Sequence, residues 1–390
     1  MIRPVNVLHA RVVTGSGGGP DKTILRSAKY LDRGQYHVSA AYLYPANDLG
    51  IESLRRAARE QGMAFHAIPE RGAIDRRAFG LLLDLCRRLH IDIWHSHDYK
   101  TDLLGLLIRR HHPMKLVTTV HGFTRETWRT KLYAKINDLA LLGYDQVLAV
   151  SPLLVRHCAE RGVNPGRLVD LPNGIELDQA KRARSTARAR AEYGIDTTGP
   201  HLVVVSRFSP EKGVDRAVTM IKRLIKTEPS ARLHLVGDGP QRAALEAQAE
   251  QLGVSSCIQW WGWQTQVQPI LEAMDTLLLT SHTEGLPNAV LEAMAVGVPV
   301  AATRVGAVPG VLAQGDAGVL LSQNEAEWPG QVAPLLRDTL EREQMLQRAR
   351  EQLFERYDFK LRMQRVASIY DQVMGLKRTA AQGAAPLIAA

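Results

Sequence analysis

Two glutamates, Glu284 and Glu292, flank a Gly-Leu-Pro turn in the stretch from Thr280 to Gly306. Glu284 follows an apolar run that is typical of a buried strand, and Glu292 lies within a helical pattern. A helix that only packs on a sheet needs no acid there, whereas carboxylates readily accept hydrogen bonds from sugar or ribose hydroxyls. The alternative is structural: Glu284 is then a neighbour of the helix cap, and Glu292 is a surface residue.

Two cations follow a second strand-like run, "HLVVVSRF". Arg207 ends this run, and Lys212 lies in the loop that leads to the next helix. Ligands of open parallel sheets bind at the carboxyl ends of the strands. Cations near a helix N-terminus suit a phosphate or diphosphate. Pro287 suits the first turn of a helix, whose free backbone amides also face anions. The pattern favours a ligand that carries both phosphates and hydroxyl groups.

The first half of the chain holds weaker signals. His95 and His97 are two residues apart on a strand and share a face, but no third ligand is evident, so no metal site is predicted. The glycine-rich stretch "SGGGP" fits a phosphate loop or simply an unusual backbone turn. The three cysteines are far apart, which fits a reducing compartment and argues against a disulfide framework or a cysteine-based zinc site.

Strand-like runs alternate with amphipathic helical stretches along the chain and must position these residues. In the first half the runs are "VNVLHA", "HVSAAYLY", "IDIWHSH", "KLVTTVH", "QVLAVS" and "RLVDLPNG". In the second half they are "HLVVVSRF", "ARLHLVGDG", "CIQWWGW", "TLLLTS", "VPVAATRV" and "AGVLLS". Continuous apolar runs separated by helices predict parallel sheets covered on both faces. Two such series predict an α/β protein with two doubly wound domains, whose boundary falls between Asn173 and His201.

The net charge of +9 is unevenly distributed. Residues 1–180 hold 25 lysines and arginines against 18 acidic residues, residues 181–190 add five more cations, and residues 191–390 hold 19 against 22. One interpretation is solvated helix faces, and the other is attraction to anionic lipid headgroups or to an anionic acceptor. The cations are scattered without a nucleic-acid motif, so nucleic acid is not a predicted partner.

A cytoplasmic protein is predicted, because no apolar run is long enough to span a membrane and the N-terminus has no signal-peptide core. The stretch from Arg125 to Asp145 is basic on one side and apolar on another, which makes it a candidate for peripheral contact with the inner face of the plasma membrane. The residues expected to make this contact are Arg125, Trp128, Arg129, Lys131, Tyr133 and Lys135.

Taken in order, the motifs resemble those of the retaining glycosyltransferases of family 4, also called glycosyl transferases group 1, which have the GT-B fold. The resemblance extends to about Met374, and its motifs are "GSGGGPDKT", "DIWHSHD", "TTVHG", "VSPLLVRH", "LPNGIE", "RFSPEKGVD", "GDGP" and "HTEGLPNAVLEAMAVGVPVAATRVGAVPGVL". One departure is "VGAVPG", which has Ala307 and Gly310 where the family often has a second glycine and an acid. We attribute it to donor specificity.

The resemblance implies two Rossmann-like domains that face a central cleft. The predicted parts are an acceptor-side domain at residues 1–175, a nucleotide-sugar domain at 176–356, a helix at 357–376 that crosses back to the first domain, and a disordered tail at 377–390.

The resemblance also implies a role for each matching residue. Arg207 and Lys212 contact the diphosphate of the donor, and Glu292 contacts its ribose. Glu284 contacts sugar hydroxyls near the backbone amides of Gly285 and Leu286. His121 lies by the transferred sugar. Gly18 and Gly19 belong to a loop that approaches the donor phosphates.

The predicted function is transfer of a sugar, with retention of configuration, from a nucleoside diphosphate sugar to a glycan or lipid-linked acceptor in surface polysaccharide or glycolipid synthesis. No cofactor or metal is expected, because cations stand by the leaving diphosphate and the sequence has no Asp-x-Asp motif. The alternatives are a nucleotide-sugar epimerase of the same fold and a partner protein that keeps the fold without turnover. The presence of Arg207, Lys212, Glu284 and Glu292 argues against the last.

Overall fold

A computed structural model of the chain describes residues 3–15, 17–72, 75–122, 128–178 and 181–376, and the side chains from 135 onward in the fourth range. It divides the chain into two compact units. Unit 1 comprises Met1–Asn173 and Lys360–Ala390, and unit 2 comprises Gly174–Phe359. The tail at 377–390, which the sequence predicts to be disordered, lies outside the described residues, as does Arg125.

Unit 1 is built on a seven-stranded parallel sheet with the order β3-β2-β1-β4-β5-β6-β7. Its strands are β1 (Val5–Val12), β2 (Tyr36–Pro45), β3 (Ala64–Glu70), β4 (Ile93–Ser96), β5 (Lys115–Val120), β6 (Gln146–Ala149) and β7 (Leu168–Asp170). Its helices are α1 (Gly19–Tyr30), α2 (Ile51–Glu60), α3 (Arg76–Arg88), α4 (Tyr99–Arg109), α5 (Trp128–Leu141), α6 (Pro152–Glu160) and, from its second residue, α15 (Phe359–Met374).

Unit 2 is built on a six-stranded parallel sheet with the order β10-β9-β8-β11-β12-β13. Its strands are β8 (His201–Val205), β9 (Arg232–Val236), β10 (Ile258–Gly262), β11 (Thr276–Leu279), β12 (Val300–Thr303) and β13 (Val319–Leu321). Its helices are α7 (Thr186–Tyr193), α8 (Val214–Leu224), α9 (Arg242–Gln251), α10 (Gln268–Leu271), α11 (Asn288–Ala295), α12 (Val308–Val311), α13 (Trp328–Val332) and α14 (Leu340–Arg356).

Two doubly wound parallel α/β units confirm the predicted fold class. In unit 2 the central strands β8 and β11 are almost wholly buried, as expected for continuous Val- and Leu-rich runs covered by helices on both faces. Helix starts follow local chemistry. The side chain of Asp75, for example, accepts hydrogen bonds from the amides of Arg77 and Ala78 and begins α3.

The chain enters and leaves unit 2 through segments that run side by side. The amide of Ile175 donates to the carbonyl of Tyr357, and the amide of Phe359 donates back to the carbonyl of Ile175. Gly174 is required here, because a Cβ atom at this position would lie 2.6 Å from the Cα of Phe359.

The basic segment at residues 181–190 is packed onto unit 2, which the sequence interpretation did not foresee. Arg184 pairs with Glu272 at 3.1 Å, and Arg190, which is buried, pairs with Asp275 at 2.6 Å. Arg182 donates to two backbone carbonyls of the same unit. These guanidinium groups stabilise the start of unit 2, so most of this charge is unavailable to an anionic surface. Within the described ranges, no helix has the length and apolar character needed to cross a membrane.

Candidate functional site

The order of the strands places a crevice at the carboxyl edge of each sheet. In unit 2 the chain winds outward from β8 through β9 to β10 and then returns to β11 on the other side of β8. Neighbouring loops therefore diverge between β8 and β11, which is where ligands of open α/β sheets bind. Arg207 and Lys212 follow β8, and Glu284 follows β11. The two loops that carry the predicted site residues therefore both begin at this switch point.

Lys212 and Glu284 form an ion pair, although they are 72 residues apart in sequence. Lys212 Nζ lies 2.8 Å from Glu284 Oε1, and this oxygen also accepts a hydrogen bond of 2.7 Å from Ser281 Oγ. The lysine side chain is 25% exposed and the glutamate 7%. The pair therefore fixes both groups at the crevice while leaving the ammonium group open to solvent and to a ligand.

The loop that carries Glu284 is held against its neighbours by close backbone contacts. Gly306, at φ +54°, passes so near that a Cβ atom would lie 1.8 Å from the carbonyl oxygen of Glu284. The amide of Ala307 donates to the carbonyl of Gly285, and the hydroxyl of Thr303 donates to the carbonyl of Ser281. The glycine in "TRVG" thus allows the β12 loop to support the Glu284 loop directly.

The remaining predicted residues of unit 2 follow β8 or β11 in the chain. The side chain of Arg207 is exposed and makes no hydrogen bond or ion pair with the described residues. Gly285 and Leu286 lead into α11, and their amides donate to no other residue in the described ranges. Glu292 is half-buried on the second turn of α11. An exposed guanidinium group, an ammonium group and free amides at one crevice can bind a phosphorylated ligand.

The switch point of unit 1 lies between β1 and β4 and has a different character. The loop after β1 leads into α1, where the amide of Gly18 donates to Asp21 Oδ2 at 2.7 Å. Asp21 also pairs with Arg11 at 2.6 Å, and both side chains are largely buried. The Gly18 amide is therefore already engaged, whereas Gly19 is the first residue of α1. The phosphate contact predicted for these two glycines stays a prediction.

Four imidazole rings are packed together at the carboxyl edge of unit 1: His9 on β1, His95 on β4, His97 after β4 and His121 after β5. Burial lowers the pKa of His9 to about 3, and it holds the pKa values of His95, His97 and His121 well below the ordinary value. These rings are neutral at neutral pH. The sequence analysis identified His95, His97 and His121 and missed His9, whose only signal is its place at the end of "VNVLH".

His9 supplies the third histidine that was not evident in the sequence. One ring nitrogen from each of His9, His95 and His97 lies within 4.8 Å of the other two. Both nitrogens of His95 are nevertheless engaged, Nδ1 with the hydroxyl of Tyr370 at 2.6 Å and Nε2 with the hydroxyl of Thr119 at 2.8 Å. Nδ1 of His9 and Nε2 of His97 bond to each other at 2.9 Å. These nitrogens are already engaged in hydrogen bonds within unit 1, which an ion bound there would have to replace.

Arg362 on α15 adds an unusual charge to this region. Its side chain is buried, its only hydrogen bond to a described residue is with Met363 Sδ at 3.5 Å, and burial lowers its pKa to about 10. It stays cationic at neutral pH and, together with Arg11, disfavours protonation of His121. Two guanidinium groups also make this region unfavourable for a dication.

Two family models match the chain in tandem. The model described as Glycosyltransferase Family 4 matches residues 17–179, and the model described as Glycosyl transferases group 1 matches residues 185–352. The first match lies within unit 1 except for its last residues, and the second lies within unit 2. Together they include every residue assigned a role in the sequence analysis.

Two curated relatives show what the chain is similar to. The N-acetyl-alpha-D-glucosaminyl L-malate synthase of Bacillus anthracis is 29% identical over 301 residues, covering 75% of this chain and 76% of that protein. The D-inositol 3-phosphate glycosyltransferase of Segniliparus rotundus is 29% identical over 259 residues, covering 62% of this chain and 58% of that protein. The chain thus aligns with less than two thirds of the second relative.

The structure is similar to that of HepE from Anabaena, solved in complex with UDP and, separately, with UDP-glucose. The TM-score is 0.80 in both comparisons, with 94% of this chain covered. The alignment covers 100% of the UDP-bound chain at 17% identity and 99% of the UDP-glucose-bound chain at 18% identity. The likeness confirms the predicted GT-B fold.

Proposed function

This chain belongs to the group 1 glycosyltransferases of family 4, and we propose that it transfers a sugar from a nucleoside diphosphate sugar bound by unit 2. The observation that carries the proposal is the Lys212–Glu284 pair at the switch point of the second sheet, where the exposed side chain of Arg207 has no partner among the described residues. Cations for a diphosphate and a carboxylate for hydroxyl groups stand together there. HepE, which shares this fold, binds UDP and UDP-glucose.

The chemistry follows from the charge that develops during transfer. Cleavage of the glycosyl–phosphate bond builds positive charge on the sugar and negative charge on the leaving diphosphate. Arg207, Lys212 and the amides of Gly285 and Leu286 would stabilise the diphosphate, an electrostatic contribution that is often worth several kcal/mol. Glu284 would hold sugar hydroxyls, and Glu292 would hold the ribose. In this proposal His121 is the residue of unit 1 that contacts the sugar.

Retention of configuration and independence from metal ions are parts of the same proposal. Retention is proposed from the family resemblance. Glu284 is held by Lys212 and Ser281 and is not placed as a covalent nucleophile, so the proposed route is front-side attack of the acceptor hydroxyl, assisted by the departing diphosphate, which leaves as the new glycosidic bond forms. Independence from metal ions is supported by the two cations, Arg207 and Lys212, which would balance the charge of the diphosphate without a bound ion.

The acceptor is proposed to be a glycan or a lipid-linked saccharide of the cell surface. A second candidate is a small anionic acceptor, because the two relatives are named for malate and inositol phosphate. In both cases the basic first half of the chain would favour an anionic acceptor.

Turnover of defined substrates tests the proposal. The purified chain is incubated with UDP-glucose, UDP-N-acetylglucosamine and GDP-mannose, each alone and with a polyprenyl-diphosphate saccharide, L-malate or inositol 3-phosphate. Sugar transfer that requires an acceptor supports the proposal, and the anomeric configuration of the product by NMR tests retention. Isomerisation of a donor without acceptor would indicate an epimerase. Donor binding without turnover under any condition would indicate a non-catalytic partner.

Peripheral membrane attachment is a separable part of the proposal. Lys135 on α5 is exposed, whereas the other side chains expected to contact a membrane are outside the described set. Each basic residue near an anionic bilayer contributes about 1 kcal/mol, and only within a Debye length. Flotation with phosphatidylserine vesicles but not with phosphatidylcholine vesicles, lost at high salt, is expected. Equal absence from both would favour a soluble acceptor.

A further inference from the structure

A series of hydrogen bonds, called the relay below, links the side chains of Ser27, His9, His97 and His121 in unit 1. Ser27 Oγ on α1 lies 3.4 Å from His9 Nε2, His9 Nδ1 lies 2.9 Å from His97 Nε2, and His97 Nδ1 lies 3.1 Å from His121 Nε2. The remaining nitrogen, His121 Nδ1, is buried and has no partner among the described residues. The relay therefore begins at Ser27 on α1 and ends at His121 Nδ1, which is the open end because it has no hydrogen-bond partner among the described residues.

Each imidazole ring of the relay has one hydrogen-bond donor and one hydrogen-bond acceptor. A neutral imidazole carries one N–H group and one lone pair, and the three rings are neutral at neutral pH because burial lowers their pKa values. Rings linked nitrogen to nitrogen have only two consistent arrangements. All N–H groups point toward Ser27, or all point toward the open nitrogen of His121.

Ser27 determines which arrangement is favoured. Its hydroxyl donates to the backbone carbonyl of Ile24 at 2.7 Å, and a hydroxyl has only one hydrogen. Ser27 Oγ can therefore only accept from His9, which places the proton of His9 on Nε2. His9 Nδ1 then accepts from His97 Nε2, and His97 Nδ1 accepts from His121 Nε2.

The opposite arrangement is less favourable because it leaves more groups unsatisfied. It directs the lone pair of His9 Nε2 at the lone pairs of Ser27 Oγ, and it leaves a buried N–H group without an acceptor at His121 Nδ1. An unpaired buried polar group loses its hydration without compensation, which costs more than an ordinary hydrogen bond contributes to stability.

We propose that Ser27, His9 and His97 are positioning residues that hold His121 in the tautomer with a bare Nδ1, so that His121 accepts a hydrogen bond from a ligand hydroxyl and does not donate one. The identity of that ligand as the sugar of the donor substrate rests on the function proposed above. The direction of the relay does not, because it follows from contacts within unit 1.

The free protein tests the direction of the relay. In protein labelled with ¹⁵N-histidine, long-range ¹H–¹⁵N spectra distinguish protonated from bare ring nitrogens. We expect a protonated Nε2 and a bare Nδ1 in His9, His97 and His121. A protonated Nδ1 in His121, or one transition-metal ion per chain bound at the histidines, would overturn the proposal.

Variants of Ser27 test the anchor. Ser27→Ala removes the acceptor for His9 and is expected to give His121 a mixture of tautomers, whereas Ser27→Thr keeps the hydroxyl and the native spectrum. Ser39→Ala is the matched control, because Ser39 is also a buried serine of unit 1 that donates to a carbonyl, that of Val7 at 3.3 Å, outside the relay. An unchanged His121 spectrum in folded Ser27→Ala would sink the proposal.

Ligand addition tests the acceptor role. The probe is the nucleotide sugar that is turned over in the assay above, and its free nucleoside diphosphate is the control without a sugar. We expect the sugar nucleotide alone to shift the His121 Nδ1 signal, and Ser27→Ala to lower kcat/KM roughly two- to tenfold, the range for one hydrogen bond. A native tautomer pattern with no shift would refute the ligand role. Absence of turnover with every donor would refute the proposed function and leave the spectra of the free protein to decide the relay.

Discussion

The two sheets are wound in the same way, yet their carboxyl edges carry different chemistry. At the edge of unit 2, the side chain of Arg207 is exposed, and Lys212 pairs with Glu284 at 2.8 Å. At the edge of unit 1, His9 and His97 are buried and His121 is partly buried, and loss of hydration lowers the pKa of all three rings, so that they are uncharged at neutral pH. Solvent access distinguishes the two edges: the side chain of Lys212 is 25% exposed, whereas burial of an imidazole disfavours its protonated form.

This difference in charge determines which chemical groups of a ligand each edge is suited to bind. A diphosphate carries a net charge that oriented neutral groups cannot balance, so it requires cations that remain charged. A hydroxyl group requires only an oriented donor or acceptor, which a fixed neutral network provides. On this comparison, unit 2 supplies charge and unit 1 supplies direction.

Removing the cations of unit 2 should have the largest effect. Lys212→Ala and Arg207→Ala are each expected to lower kcat about 10²–10³-fold, the range for loss of one preorganised group at a developing negative charge. The two variants should differ in stability. Lys212→Ala leaves the buried Glu284 without its cation and should cost about 1–3 kcal/mol, whereas Arg207 has no described partner to lose.

Steady-state kinetics and urea unfolding measure both effects. Lys226→Ala is the matched control, since Lys226 is an exposed lysine of the same unit. If both site variants kept native kinetics while folded, charge at unit 2 would have no role in turnover, and the comparison between the edges would fail.

The backbone that holds the charged edge should be the next most sensitive feature. Gly306→Ala places a Cβ atom 1.8 Å from the carbonyl oxygen of Glu284 at a positive φ, so the loop must move. We expect a loss of at least about 2 kcal/mol in stability and a tenfold or greater loss of turnover. Gly310→Ala is the control, because its Cβ would meet nothing within 4 Å. Equal behaviour of the two variants in unfolding and activity assays would show that the Glu284 loop tolerates displacement.

Much of this arrangement follows from sequence patterns. All six strands of unit 2 match continuous apolar runs, and so do six of the seven strands of unit 1. The missed strand, β3, is an edge strand of mostly half-exposed residues that includes His66 and Pro69. An edge strand needs neither a continuous apolar run nor a full set of amides, so its sequence resembles a loop.

Sequence motifs identify the residues of the candidate site, but they do not predict which of those residues contact one another. Arg207, Lys212, Glu284 and Glu292 stand out because each lies after a strand or at a helix start. The pairing of Lys212 with Glu284 depends on which strands are neighbours, and a local pattern does not contain that information. His9 was missed for the same reason: a single histidine in an apolar strand reads as a core residue until β4 brings His97 beside it.

Lowering the pH should reduce the free energy of unfolding, because each unit contains a buried histidine whose pKa is lowered in the folded state. His9 in unit 1 and His234 in unit 2 both have a pKa of about 3, mainly because of burial, against 6.5 when unfolded. Between pH 6.5 and about 3 the unfolded chain therefore binds more protons, and stability falls as the pH falls. Each histidine contributes a slope of about 1.4 kcal/mol per pH unit. Urea unfolding of His9→Gln and His234→Gln from pH 7.5 to 4.5 should show a flatter dependence than the native chain. An unchanged slope would mean that the ring is already protonated in the folded state.

A smaller kinetic effect is expected from replacing Glu292, and it tests whether the negative charge of this residue contributes to donor binding in unit 2. Glu292→Gln keeps the shape of the side chain but weakens its hydrogen bonds, so the donor KM should rise up to about tenfold while kcat changes little. Glu250→Gln, at an exposed position of α9, is the control. A collapse of kcat at constant KM would move Glu292 from donor binding to the chemical step.

The smallest expected effect is that of metal removal, and it tests the comparison most directly. If the cations of unit 2 balance the diphosphate, prolonged treatment with EDTA should change kcat less than about twofold, since no step then depends on a bound ion. A loss of activity would break the comparison, and the ion that restores it would show where. Restoration by Mg²⁺ or Mn²⁺, which prefer oxygen ligands, would indicate a diphosphate-bound ion at unit 2. Restoration by Zn²⁺, which prefers imidazole, would point to His9, His95 and His97, each of which has one nitrogen within 4.8 Å of the other two. Unit 1 would then supply positive charge and not only an oriented hydrogen-bond acceptor.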